Sequence, residues 1–180
     1  MNVSRRNRFG RLFSHVWSAD REVRKAFPAQ GLQRIEQAIA KAETGHSGEL
    51  RLVIEGGLGW DVLRQITVSA LTGSPSLSRA RAVVLFSQLG VWDTAGNSGV
   101  LLYVLMAEHQ LEIVADRGIH AVVGESVWQS IVAGAATCFK RGDYEQGLLQ
   151  AIEAISQQLR QHFPAGTDNP NELPDQPVVL

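Results

Sequence analysis

Asp93, Asn97, Ser98 and Asp116 bracket an apolar run from Gly99 to Met106 and the shorter strand-like stretch Leu111 to Ala115. Two carboxylates, an amide and a hydroxyl form an oxygen-rich set of the kind that holds a hard cation such as Ca²⁺ or Mg²⁺. A cation held by Asp93, Asn97 and Asp116 could activate a bound water for attack on a phosphomonoester. The same residues also have a plain structural reading. Asp93 and Thr94 can close a helix through local hydrogen bonds, and Asp116 can pair with Arg117 or another arginine. No standard calcium-loop spacing is present.

Other chemistries have less support. There is no paired-aspartate phosphotransfer motif, HExxH helix or G-x-S-x-G elbow. The glycines of EGGLGW fit neither a P-loop nor a dinucleotide fingerprint, so no nucleotide cofactor is expected. Cys138 is the only cysteine, which excludes an intramolecular disulfide and a cysteine-based zinc site. It shares a helical face with Val127, Ile131 and Ala135, as an inert core thiol would. His46, His109, His120 and His162 lie at or near predicted loops and read as solvated residues. His120 alone merits a closer look, because a helical turn at Gly118 would bring it near Asp116.

The elements that must position these residues follow from periodicity. After Pro28, the residues Leu32, Ile35, Ala38, Ile39 and Ala42 form an amphipathic helix that Thr44-Gly45 ends. Glu49 to Ile54 is a strand between Gly48 and Gly56-Gly57. Residues 60–71 read as helical, and Ser78 is expected to cap a helix whose inner face carries Val83, Val84, Phe86 and Leu89. The Gly99 to Met106 run has the pattern of a strand covered on both faces, and it folds back on Leu111 to Ala115 as a β-hairpin. A fold about Glu108 and His109 sets Leu101 opposite Asp116 and Met106 opposite Leu111. The loops carrying Asp93, Asn97 and Asp116 then meet. A first strand parallel to the second would bring His46-Ser47-Gly48-Glu49 to the same end. The opposite end, with Glu55-Gly56-Gly57 and Glu108-His109, is a competing site. A helix over Glu125 to Lys140 stops at Gly142, Asp143 caps the next one, and Leu148, Ile152, Ile155 and Leu159 line its buried side.

At 180 residues, 44% hydrophobic and 19% charged, the chain suits one globular domain. Its formal net charge of -1 gives no sign of nucleic-acid binding. The charge is unevenly spread: residues 1–27 hold seven basic residues against Asp20 and Glu22, leaving the remainder acidic. Phe9, Leu12, Phe13, Val16 and Trp17, with Arg8 and Arg11 among them, form a basic amphipathic helix that either docks on the domain or lies on an anionic membrane surface. No apolar run is long enough to span a bilayer and the first residues lack a secretory signal, so a cytoplasmic place is expected, with peripheral contact to the inner membrane through that helix. Four of the six prolines follow Phe163, and residues 164–180 are expected to be disordered. The expected organisation is a basic helix over 1–27, a folded domain over 28–163 and a tail over 164–180.

Three stretches together resemble the TPM-domain family. They are FPAQGLQRIEQAIAKAE with GELRLVIE, NSGVLLYVLMAEHQLEIVADRGI, and the helix junction FKRGDYEQGL. The VWDT and EIVADRGIH wording is similar to short stand-alone bacterial members without a membrane anchor. The resemblance implies an α/β fold, a three-layer αβα sandwich around a small mixed sheet. It also implies one of two roles. The first is an accessory or partner-binding module tied to membrane-complex maintenance, with Ca²⁺ or Mg²⁺ bound and an unidentified protein partner. The alternative is a weak metal-dependent acid phosphatase. Where many relatives carry Asp-Asn-Gly before the second strand, this chain has Asn97-Ser98-Gly99. Where they carry Gly-Tyr-Gly-Leu-Glu after the third, it has Asp116-Arg117-Gly118-Ile119-His120. One loop has lost a carboxylate and the other has gained one.

Overall fold

A computed structural model describes residues 21–59, 62–63 and 76–180. Four strands form one mixed sheet: β1 (Leu50–Glu55), β2 (Val100–Leu105), β3 (Gln110–Ala115) and β4 (Val178–Val179). Their order across the sheet is β3-β2-β1-β4, with β1 parallel to β2 and to β4, and β3 antiparallel to β2. The helices are α1 (Ala29–Glu43), α2 (Leu77–Gln88), α3 (Arg117–Val123), α4 (Glu125–Phe139) and α5 (Tyr144–His162).

Side-chain alternation explains why β1 and β2 are apolar almost throughout. Leu50, Leu52, Ile54, Val100, Leu102 and Val104 point into a cluster with Ile35 and Ile39 of α1, Ile119 of α3, Trp128 and Ala135 of α4, and Leu148, Ile152, Ile155 and Leu159 of α5. Val53, Leu101, Tyr103 and Leu105 point the other way, against Ala82 and Leu85 of α2. A strand with both faces covered needs no polar alternation, and each large side chain so buried contributes roughly 1.5–3 kcal/mol. The result is an α/β sandwich with helices flanking the sheet.

Several expectations are corrected by the structure. The β2–β3 pairing sets Leu101 opposite Val114 and Leu105 opposite Gln110, a shift of two residues from the expected register. Met106–Glu108 forms a 3₁₀ turn closed by His109 at φ 51°, which moves the fold point back by one residue. A shift of two keeps every side chain on its expected face. Ser76, not Ser78, caps α2 by accepting from Arg79 N at 3.1 Å, and Val83 lies on the outside of the helix, 48% exposed. Asp143 sits at the head of α5 without capping it, because its carboxylate pairs with Arg141 Nε at 3.1 Å.

Residues 164–180 were expected to be disordered, yet they run along the open side of β1. Val53 pairs with Val178 and Ile54 with Val179, and Leu180 N donates to Ile54 O at 2.9 Å. Composition failed to foresee this because the segment is held largely through its backbone, as described below. The amphipathic stretch Phe9 to Trp17 and nearly all of the helix expected over 60–71 lie outside the described residues. Residues 21–26 are helical, and Val23 and Phe27 are buried in the main core.

Candidate functional site

The parallel β1–β2 register places the starts of both strands and the finish of β3 at one end of the sheet, called the loop end here. Three loops do converge there. Ser98 Oγ donates to Ser47 O at 3.3 Å, Ile119 N to Asn97 O at 3.2 Å, and Asp116 N to Gly99 O at 2.9 Å. The packing is close enough to demand glycine. A Cβ on Gly118 would come within 2.5 Å of Asn97 O, and one on Gly99 within 1.9 Å of Val91 O.

The three expected ligands behave differently. Asp116 is 6% exposed and caps α3, its Oδ1 accepting from Arg117 N at 2.6 Å, while its buried Oδ2 makes no hydrogen bond to protein. Asn97 adopts φ 48°, a left-handed conformation that Asn tolerates, and its backbone joins the Asp116 loop. Asp93 is exposed in the turn after α2. Asn97 and Asp116 are thus brought together. Among the described residues, no three His, Cys, Asp or Glu side chains group to hold a metal, whereas Ca²⁺ takes six to eight oxygens.

His46 was expected to be solvated, but it is fully buried. Its Nδ1–H donates to Gly48 O at 2.9 Å, and Nε2 has no protein partner. Burial lowers its pKa, the Gly48 bond opposes this, and the nearby Arg160 charge lowers it further. The imidazole is therefore neutral at pH 7. Glu43, at the close of α1, is 7% exposed and accepts from Leu50 N at 2.8 Å. Burial pushes this carboxyl up to about 9 against the Leu50 bond, and the Glu49 and Asp175 charges add to the rise. Its Oε2 makes no hydrogen bond of good geometry although Asp175 lies close. Burial also raises Glu49. Sequence reasoning missed Glu43 because it occupies a helical position whose solvent or core exposure depends on the angle at which α1 meets β1. Its signal was the spacing Glu43-x-x-His46-x-x-Glu49 across a turn that leads into an apolar strand.

At the competing end the Glu55 carboxylate is engaged. Arg81 forms a bidentate pair with Glu55, both bonds 2.9 Å, and Tyr103 Oη donates to Glu55 Oε2 at 2.7 Å. Burial raises the Tyr103 pKa, and so does this bond. His109 accepts from or donates to the Tyr144 hydroxyl at 2.7 Å on the surface. His120 is exposed on α3, where its backbone N bonds Asp116 O, not the carboxylate. Cys138 is buried beside Gln150, as a core thiol.

A model of the TPM domain matches residues 23–158, most of the chain, including β1, β2, β3 and the three loops that meet at the loop end. The chain belongs to the TPM domain family. The NMR structure of the BA42 protein from the psychrophilic bacterium Bizionia argentinensis is similar to it, with 29% identity and a TM-score of 0.70 over 86% of this chain and 95% of that one. Nothing among the curated proteins matches. Within this TPM domain no described helix is long and apolar enough to cross a membrane. The TPM match stops before residues 164–180, so the segment along β1 lies outside the part that defines the family.

Proposed function

We propose that this TPM domain is an accessory module that binds a protein partner through its loop end. The observation that carries this reading is Trp92, in the same turn as Asp93. The ring is 53% exposed and yet fixed, since Nε1 donates to Ser87 O at 3.3 Å, and the outward-facing Val83 lies one helical turn before Ser87. A fixed, exposed tryptophan offers a large apolar contact at little entropic cost, which is why such residues anchor protein interfaces. Around it the polar side chains are engaged in holding loops together: Asp116 caps a helix, Thr94 Oγ1 accepts from Ser98 N at 3.1 Å, and Ser98 ties down Ser47. The test is copurification of wild type, Trp92→Ala and Asp116→Asn from the native cell. A partner retained by Asp116→Asn and lost by Trp92→Ala is expected; equal retention by all three removes the assignment to Trp92.

The unpartnered Asp116 Oδ2 favours a second reading, in which a Ca²⁺ or Mg²⁺ ion meets Asp116 and Asn97 and takes its remaining oxygens from water. Calcium titration followed by NMR would show shifts at Asn97 and Gly118 that vanish in Asp116→Ala. The phosphatase alternative needs Asp93 as a further ligand. Phosphomonoester turnover measured with each cation is expected to stay at background in wild type; activity lost in both Asp93→Ala and Asp116→Ala would establish the hydrolase instead. A cytoplasmic place with peripheral membrane contact remains part of the proposal. Sedimentation with anionic vesicles should weaken when Arg5, Arg6, Arg8 and Arg11 are changed to Gln, as an electrostatic contact requires.

A further inference from the structure

Among the described residues, β1 would be an open sheet edge without residues 164–180: the order β3-β2-β1-β4 leaves it the two-residue β4 on that side. An open edge strand presents unpaired N–H and C=O groups to any extended chain. Here that edge carries dedicated polar side chains, and they bind backbone. The Arg51 guanidinium donates to both Pro174 O and Gln176 O, Glu49 Oε2 accepts from Leu173 N at 3.1 Å, and Asn169 Nδ2 reaches back to Glu43 O and His46 O at 3.0 and 3.1 Å. Glu43, Glu49 and Arg51 are buried.

The segment they hold is not. No residue from 169 to 180 is buried; Leu173 and Val178 are half-buried, and Val179 is 47% exposed. Its attachment thus rests on hydrogen bonds, among them one from Ala95 N to the Glu172 carboxylate at 3.1 Å, and on little apolar area, the profile of a segment that opens below the free energy of global unfolding. Acidic groups crowd the seam: Asp175 of the segment acts on both Glu43 and Glu49 of the domain, Glu172 acts on Glu49, and the Arg51 cation interacts with Asp175. Gly166, Thr167 and Asp168 are exposed and connect the segment to Pro164, which bridges to His46. A short exposed connection between a fixed anchor and a weakly held strand is the arrangement that permits exchange of identical elements between copies.

We propose that the β1 edge, with Arg51, Glu49 and Glu43, is a strand-accepting interface that takes residues 169–180 of a second copy of this chain by exchange. The occupant is this same segment because its Asn169 amide, its Leu173 N–H and its Pro174 and Gln176 carbonyls already match the edge. The resulting contact is reciprocal, each copy giving a strand and receiving one, and so closes as a dimer.

The test adds a fluorescein-labelled peptide of residues 168–180 to the full chain at neutral pH and follows anisotropy. Saturable binding is expected, with a scrambled peptide inert. Arg51→Gln should weaken binding about tenfold or more through loss of two charge-assisted hydrogen bonds. Val178→Pro, which cripples only the chain's own strand, should strengthen it. Two variants with opposite expected signs separate the interface from general instability, provided both keep wild-type amide spectra. Light scattering on concentrated protein should show a dimer that disappears in Arg51→Gln. Absence of peptide binding to both wild type and Val178→Pro overturns the interface. Peptide binding without any dimer overturns exchange between copies.

Discussion

The two ends of β1 bury carboxyl groups in opposite ways. At one end Glu55 faces a guanidinium and a phenol and has its acceptors filled. At the other, Glu43, His46 and Asp116 each leave one buried polar atom without a protein partner, three of the four such atoms among the described residues. Burial of a carboxylate costs several kcal/mol unless a cation and hydrogen bonds compensate it. Glu55 has that compensation. Glu43 has the Leu50 N–H but no cation, and burial pushes its carboxyl toward the protonated form. The comparison teaches that the loop end, not the Glu55 end, is where the fold tolerates unmatched polarity, and unmatched polarity in a native structure is a pointer to binding.

The sharpest way to break this contrast is Arg81→Leu. Removing the cation leaves Glu55 uncompensated and should cost roughly 3–5 kcal/mol in urea unfolding; adding Glu55→Gln should recover a substantial part. A loss under about 1 kcal/mol would mean that Glu55 finds water or a proton as readily as Glu43 does. The loop end carries the next effect, through pH. The Glu43 pKa rises on folding from 4.5 to about 9, so the stability gained with its proton is complete below the unfolded value and is lost as pH rises through the folded one. The wild-type urea midpoint should therefore fall between pH 5 and 9, within the window from about 4.5 to about 9. Glu43→Gln should flatten the fall; an unchanged slope would show that Glu43 is already ionised. Asp116→Ala should have the smallest effect, about 1 kcal/mol for a lost helix cap. Asp116→Asn should be nearly neutral, because asparagine caps as well, unless Oδ2 must carry charge for a ligand.

Much of the fold was legible in the sequence because strand and helix periodicities are local. The apolar runs around Leu52 and Leu102, the α1 stripe through Ile35 and Ile39, and the α5 stripe through Leu148 to Leu159 all take their expected faces. Convergence of the Asn97 and Asp116 loops was legible too, since antiparallel pairing of neighbouring strands fixes which ends meet, even with the turn displaced by one residue. What stayed hidden depended on partners distant in sequence. Nothing near His46 announces that Pro164 and Asn169 will cover it. Nothing in the proline-rich composition of residues 164–180 shows that Arg51 will bind its carbonyls.

The sequence by itself determined β1 to β3, the helices over Ala29–Glu43, Glu125–Phe139 and Tyr144–His162, the family and the end of the sheet where the unusual loops lie, because these rest on side-chain periods and short-range pairing. Only the tertiary structure decided the protonation of Glu43, the burial of His46, the pairing of Glu55 with Arg81 and the strand laid along β1. Those outcomes are set by desolvation and by partners such as Arg81 for Glu55 and Asn169 for the close of α1, which lie far off in sequence, and no local pattern encodes either one.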